Sequence, residues 1–124
     1  MSGMRVFVTS LGIISPLGGN ATETLSALKK SACGLAPLSL FSSTIEPPLP
    51  SGEIRTPLPD AVPRTHALAL IAAREAMAGA AGPPDAIVAG VTTGGMPASE
   101  PFLKSGIADP GRYRLHGAGT VARS

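Results

Sequence analysis

Residues 5–34 read RVFVTSLGIISPLGGNATETLSALKKSACG, and this stretch decides the predicted fold. Residues 5–14 are rich in β-branched side chains and apolar on both faces, which predicts a strand covered on both sides. The serine, proline and glycines of residues 15–19 end it. The run is too short to span a bilayer, and its polar residues and single arginine argue against a signal peptide. We therefore expect a buried strand and its turn.

A short helix is predicted next. Asn20 stands three residues before Glu23, the spacing at which an N-cap side chain and a returning carboxylate satisfy each other's backbone amides. The helix should cover residues 21–31, with Leu25 and Leu28 on its buried face.

A proline-rich stretch separates this helix from the next. Residues 35–63 contain seven prolines, which leave no room for a helix, and only residues 52–55 suit a short edge strand. We expect a long loop. The clearest helix begins at Pro63 or Arg64 and continues to residue 82, and its nearly continuous apolar surface predicts enclosure on most sides.

The last third of the chain predicts a second buried strand, DAIVAGV, over residues 85–91. A glycine turn over residues 92–95, a weak helix over residues 99–105, a turn at residues 109–111 and the start of another helix follow. Strand, helix, loop, long helix and strand is the order of an α/β layer with parallel strands.

Composition excludes several classes of protein. The 124 residues include 15 Gly and 13 Pro, with 44% hydrophobic and 15% charged residues, which excludes a helical bundle, a collagen and a disordered polar chain. A net charge of +2 is too small for nucleic-acid binding, although Arg112, Arg114 and Arg123 form a local surplus that we interpret as solvated surface. The core must come from small aliphatic side chains, because only four residues are aromatic.

No active site can be assembled from the residues themselves. Cys33 is the single cysteine, so the chain makes no internal disulfide, and together with His66 and His116 it gives no metal cluster. We predict no cofactor or metal, and a cytoplasmic protein. Cys33 lies at a predicted helix C-terminus, which disfavours a thiolate. The turn VTTGG lacks the spacing of a phosphate-binding loop and is read as a plain turn.

The order of these segments resembles the start of β-ketoacyl synthases, the condensing enzymes of fatty-acid and polyketide synthesis. In that family the first strand reads approximately VVVTGLGxxSPLGN, which residues 5–20 resemble. RTHALALIAAREAM looks like the long helix, DAIVAGVTTGG like the next strand and turn, and GAGTVARS like the helix leading towards the active-site strand. Ser10 stands where the family usually has glycine, and VTTGG replaces GTGxGG; a positive φ at either place would strain the substitute.

The resemblance implies a thiolase-like α/β fold, with residues 1–124 as the incomplete N-terminal part of its layered α/β/α domain. It implies an acyltransferase that joins acyl and malonyl thioesters by decarboxylative Claisen condensation. The family's nucleophilic cysteine and its two histidines, or histidine and lysine, lie beyond this segment, so no catalytic residue is carried over and the segment alone should be inactive. The implied partners are an acidic acyl carrier protein, which Arg64 would help to bind, and a second subunit in a homo- or heterodimer, with no nucleic acid and no membrane.

Two alternatives stay open. A non-catalytic relative of the chain-length-factor kind keeps the fold, lacks the cysteine and acts as a partner subunit. A small stand-alone α/β binding domain would instead be a cooperative monomer of 124 residues.

Overall fold

The computed structural model describes residues 3, 5–59, 62–91, 100 and 104–106. Its elements, in chain order, are helix α1 (Ala21–Lys29), strand β1 (Leu35–Pro37), strand β2 (Pro50–Gly52) and helix α2 (Arg64–Met77). The chain divides into two compact units. The first unit comprises Met1–Thr56 with Ala72–Ala80, and the second comprises Pro57–Ile71 with Ala81–Ser124.

Helix α1 begins as the sequence predicts. Asn20 has an extended backbone, and its side chain accepts a hydrogen bond from the Glu23 amide at 2.8 Å, which confirms the N-cap. The Glu23 carboxylate returns to the amide of Gly19, at 2.8 Å. The helix ends at Lys29, two residues earlier than predicted, because Ser31 adopts a left-handed conformation (φ 53°) that ends the helical geometry.

The buried side of α1 differs from the prediction. Thr24 is the helix residue that is buried, whereas Leu25 and Leu28 are more than half exposed. The prediction of a leucine face in the core is therefore wrong. The Thr24 hydroxyl has a polar partner in Ser15, at 3.1 Å, so this polar residue can take the buried position without losing its hydrogen bond.

A two-stranded antiparallel sheet lies inside the region predicted as a loop. Leu35 pairs with Gly52, and Pro37 pairs with Pro50 at the end of the ladder. The predicted edge strand over residues 52–55 shares only Gly52 with β2. Prolines are tolerated here because the ladder is short and has two edges, where an N–H group is not required at every position.

The two predicted buried strands are not formed in this structure. Residues 5–14 and 85–91 belong to no strand, and Val8 and Val88 are 88% and 98% exposed. A β-strand exists only when a second strand satisfies its backbone groups. In the part of the chain that the structure describes, two helices and one antiparallel pair of strands make a mixed α/β arrangement, which is coarser than the predicted thiolase-like layers.

Helix α2 starts at Arg64, as predicted, and ends at Met77, five residues before the predicted glycine and prolines. Its burial is less extensive than predicted, since only His66 and Ala67 are buried on this helix. Among the described residues, Ala67 is the only apolar residue that is buried, at 2% exposure. The expected core of small aliphatic side chains is therefore very thin here.

The C-terminal predictions fall largely outside the described residues. The weak helix over residues 99–105 is helical at the described positions Glu100, Lys104 and Ser105, where Lys104 Nζ lies 2.8 Å from Glu100 Oε1. The glycine turn at residues 92–95 and all residues after 106 lie outside the described part of the chain. This applies to His116 and to the three arginines of the local surplus.

Candidate functional site

The motif SPLGGN forms a tight turn that leads directly into α1. The Ser15 and Gly18 backbones bond each other in both directions, at 2.9 and 3.2 Å. The Ser15 hydroxyl also accepts a hydrogen bond from the amide of Leu17, at 3.2 Å. This turn and the Asn20 cap fix the direction in which α1 leaves the preceding segment.

The end of α2 holds the segment before the turn through polar contacts. Both oxygens of the Glu75 carboxylate accept backbone hydrogen bonds at 2.8 Å, one from Ile13 and one from Ala21 at the first position of α1. The Ser10 hydroxyl donates to the carbonyl oxygen of Ala76, at 2.6 Å. One carboxylate therefore joins α2 to the N-terminus of α1, where a negative charge is favourable.

Two motif glycines stand where the packing leaves no room for a side chain. A Cβ on Gly12 would overlap the Ala72 carbonyl oxygen and lie 2.8 Å from the Ala76 amide nitrogen. A Cβ on Gly18 would lie 2.5 Å from the Glu23 Cβ. At Ser10, where the resembled pattern has glycine, the backbone has no positive φ, so serine is not strained there.

An open apolar groove runs between residues 11–13 and one side of α1. Its volume is about 360 Å³. The residues that line it are Leu11, Ile13, Ala21, Thr22, Thr24, Leu25 and Leu28. Its lining supplies no acid, base or nucleophile besides two threonine hydroxyls, so the groove offers apolar contact and no evident chemistry.

A buried carboxylate lies beside the sheet. Glu53 is 7% exposed, and it accepts hydrogen bonds from the Ser39 amide at 2.7 Å, the Ser39 hydroxyl at 2.5 Å and the Leu40 amide at 3.0 Å. These donors, led by the Ser39 hydroxyl, and the nearby charge of Arg55 lower the pKa of Glu53 to about 2. The group is therefore an acceptor that stays ionised, which is unsuited to proton transfer near neutral pH.

The residues singled out from the sequence are not brought together into a site. Arg64 is the first residue of α2 and is partly buried. Cys33 is exposed, four residues after the end of α1. His66 is buried within the first turn of α2. They supply no described pair of nucleophile and base.

Glu53 and Glu75 were not predicted as functional residues. Each accepts several hydrogen bonds, but their donors lie between 13 and 62 residues away along the chain. The residues that flank Glu53 and Glu75, SGEIR and AREAM, do not identify those donors.

The described residues hold neither a cluster of metal ligands nor a membrane-spanning helix. No group of three or more histidine, cysteine, aspartate or glutamate residues lies together within them as metal ligands. No helix in that part of the chain has both the length and the apolar character needed to cross a membrane.

Comparison with known proteins adds no relative, since no family model, curated protein or solved structure matches this chain.

Proposed function

We propose that this chain is the N-terminal part of a β-ketoacyl-synthase-like acyltransferase with a thiolase-like fold. The observation that carries the proposal is the motif at residues 5–20, followed in order by the three further segments that resemble the family. The whole protein would condense acyl and malonyl thioesters in the cytoplasm, as a homo- or heterodimer. This chain contributes part of the scaffold and no catalytic residue.

The packing of the motif glycines supports the proposal. Gly12 and Gly18 match glycines of the resembled pattern VVVTGLGxxSPLGN, and both lie against backbone or Cβ atoms that exclude a side chain. Gly12 lies in the segment before the turn and Gly18 lies within it, and both positions require glycine. The motif therefore has a packing role of its own in this chain.

The exposed apolar segments also support it. Val6, Phe7 and Val8 are all more than 70% exposed, although they belong to the segment with the strongest strand pattern. Val88 in the second such segment is almost fully exposed. Large apolar side chains in such runs are expected to be covered by other elements, as the strands of a layered α/β domain would be.

The proposed reaction takes place on residues outside this segment. An acyl group passes from a thioester to a cysteine thiolate and releases the thiol that carried it. The bound malonyl group then loses carbon dioxide to give a carbanion, which attacks the acyl carbonyl carbon and displaces the cysteine thiolate. Here Arg64, at the start of α2, would offer positive charge to an acidic acyl carrier protein.

The decisive experiment determines the coding sequence that follows Ser124 and the mass of the native polypeptide. An antibody raised against residues 64–77 should detect a protein much larger than 12.4 kDa in extracts of the native cells. The continued reading frame should contain a cysteine in a small-residue turn, followed by two histidines or by a histidine and a lysine.

Three results would change or overturn the proposal. A stop codon directly after Ser124, together with a native mass of 12.4 kDa, would overturn it in favour of a small binding domain. Condensation of thioesters by the 124-residue chain alone would instead overturn the inference that this segment holds no catalytic residue and is inactive by itself. A longer frame that keeps the fold but lacks the cysteine would assign the chain to the chain-length-factor kind of partner.

A further inference from the structure

Residues 38–49, which connect β1 to β2, form a loop whose ends are held close together. The Leu38 amide bonds the Leu49 carbonyl oxygen at 3.1 Å, next to the paired strands. Inside the loop, the Ile45 amide bonds the Ser43 hydroxyl at 3.1 Å. In this fully described stretch, the hydrogen bonds to another segment all come from Ser39 and Leu40, at the start of the loop.

The loop has an unusual surface for a connection of this length. Phe41 is 68% exposed, and Leu40, Ile45 and Leu49 are each at least half exposed. Glu46 is the only charged residue between positions 38 and 49. Apolar contacts therefore contribute little to holding the loop, and polar contacts at its base must supply most of its stability.

Apart from the backbone bond between Leu38 and Leu49, those polar contacts converge on one side chain. Glu53 is the residue directly after β2. It accepts hydrogen bonds from two backbone amides and one hydroxyl at the start of the loop. All of the donors belong to Ser39 and Leu40, so losing this acceptor leaves two amides and a hydroxyl without their partner. Hydrogen bonds to an ionised acceptor are stronger than those between neutral groups.

We propose that Glu53 is a latch that keeps the loop of residues 38–49 closed, and that the loop opens as a unit when the negative charge at this point is removed or doubled. Removal takes away the ionised acceptor. A second negative charge at residue 39, as in Ser39→Asp, removes the hydroxyl donor and repels the Glu53 carboxylate. The Ser39 hydroxyl oxygen lies 2.5 Å from a Glu53 carboxylate oxygen, so the added charge would be close to it. Helix α1 shares none of these contacts, so it should stay folded when the loop opens.

The pH dependence follows from the groups that face Glu53. These are the Ser39 donors and the Leu40 amide on the loop, and Arg55 on the segment after β2. The pKa of Glu53 is lowered from 4.5 to about 2. A lowered pKa means that the carboxylate stabilises the closed loop fully above pH 4.5, and that this stabilisation is lost as the pH falls from 4.5 towards 2.

Hydrogen exchange of individual amides in the full chain, read by NMR, tests the latch. Glu53→Gln should accelerate exchange of the Ser39 and Leu40 amides by about 10-fold to 100-fold, because the charged acceptor is lost. Ser39→Asp should accelerate the Leu40 amide at least as much. Ser39→Ala, which keeps both backbone bonds, should change it by less than about 5-fold.

Two internal references separate opening of the loop from global unfolding. The Thr24 amide, bonded to the Asn20 carbonyl oxygen at 3.0 Å in α1, should keep its exchange rate in every variant. Glu46→Gln, a charge removal within the loop but away from the latch, should leave all of these rates unchanged. Cleavage by chymotrypsin after Phe41 should rise in Glu53→Gln and Ser39→Asp only.

Each contrary result overturns the inference. Unchanged exchange at Ser39 and Leu40 in Glu53→Gln would show that the carboxylate does not hold the loop. Equal acceleration at Thr24 would show that the loop does not open as a separate unit. A Ser39→Asp variant that behaves like Ser39→Ala would show that added negative charge does not open it.

Discussion

Residues 10–20 and residues 85–91 are both apolar segments with glycine, yet the structure treats them differently. In the first, Ser10 and Ile13 bond to the end of α2, and Gly12 lies against its backbone. In the second, Val88 is 98% exposed. Specific polar contacts and a close backbone approach therefore hold the first segment against α2. An apolar composition by itself does not bury the second segment.

The largest loss of stability is expected from a substitution at Gly12, where the first segment contacts α2. Gly12→Val should destabilise the first unit by about 3 kcal/mol, because its Cβ would overlap the Ala72 carbonyl oxygen and the helix would have to move. Urea unfolding followed by circular dichroism measures the change. Gly79→Val is the matched control, since a Cβ at Gly79 meets nothing within 4 Å. Equal losses in both variants would refute the role of close approach.

A smaller loss in the free energy of unfolding is expected when the Glu75 hydrogen bonds are weakened. Glu75→Gln should cost about 1.5 kcal/mol, since one carboxylate oxygen is replaced by an amide NH₂ that cannot accept the Ile13 or Ala21 bond. The same urea titration applies, with Glu46→Gln as the control for simple loss of charge. If Glu75→Gln and Glu46→Gln unfold at the same urea concentration, polar anchoring does not distinguish the two segments.

The smallest effect is expected in the second segment. Val88→Ser should change the free energy of unfolding of this chain by less than about 0.5 kcal/mol, because an almost fully exposed side chain has little burial to lose. Ala67→Ser, at the buried position of α2, should cost more. A large loss for Val88→Ser would mean that residues 85–91 are packed in solution, and the contrast with residues 10–20 would disappear.

The sequence predicted those features whose cause is local. The Asn20 cap and the start of α2 at Arg64 are where the residues indicate, because an N-cap needs partners only three residues away. The prediction of two buried strands was wrong for this structure, since a strand depends on a partner strand that can lie anywhere along the chain. Strands β1 and β2 were missed because three residues each, with a proline in both, give no alternation to detect.

The candidate sites were harder to predict for the same reason. Glu75 meets Ile13 across 62 residues of sequence, and Glu53 meets Ser39 across 14. Neither pairing leaves a signal in the local sequence. Cys33 and His66 were visible as reactive residue types, and their surroundings in the described part of the chain give them no catalytic pair.

The exposed thiol of Cys33 has a practical consequence for any study of association. It is the only cysteine in the chain, so any disulfide between two copies of the chain must be a single S–S bond at this residue. Such a covalent dimer would scatter light as a true dimer does. Keeping a reductant present, or blocking the thiol with a maleimide, separates that artefact from self-association; the same single attachment point accepts a fluorophore beside the end of α1.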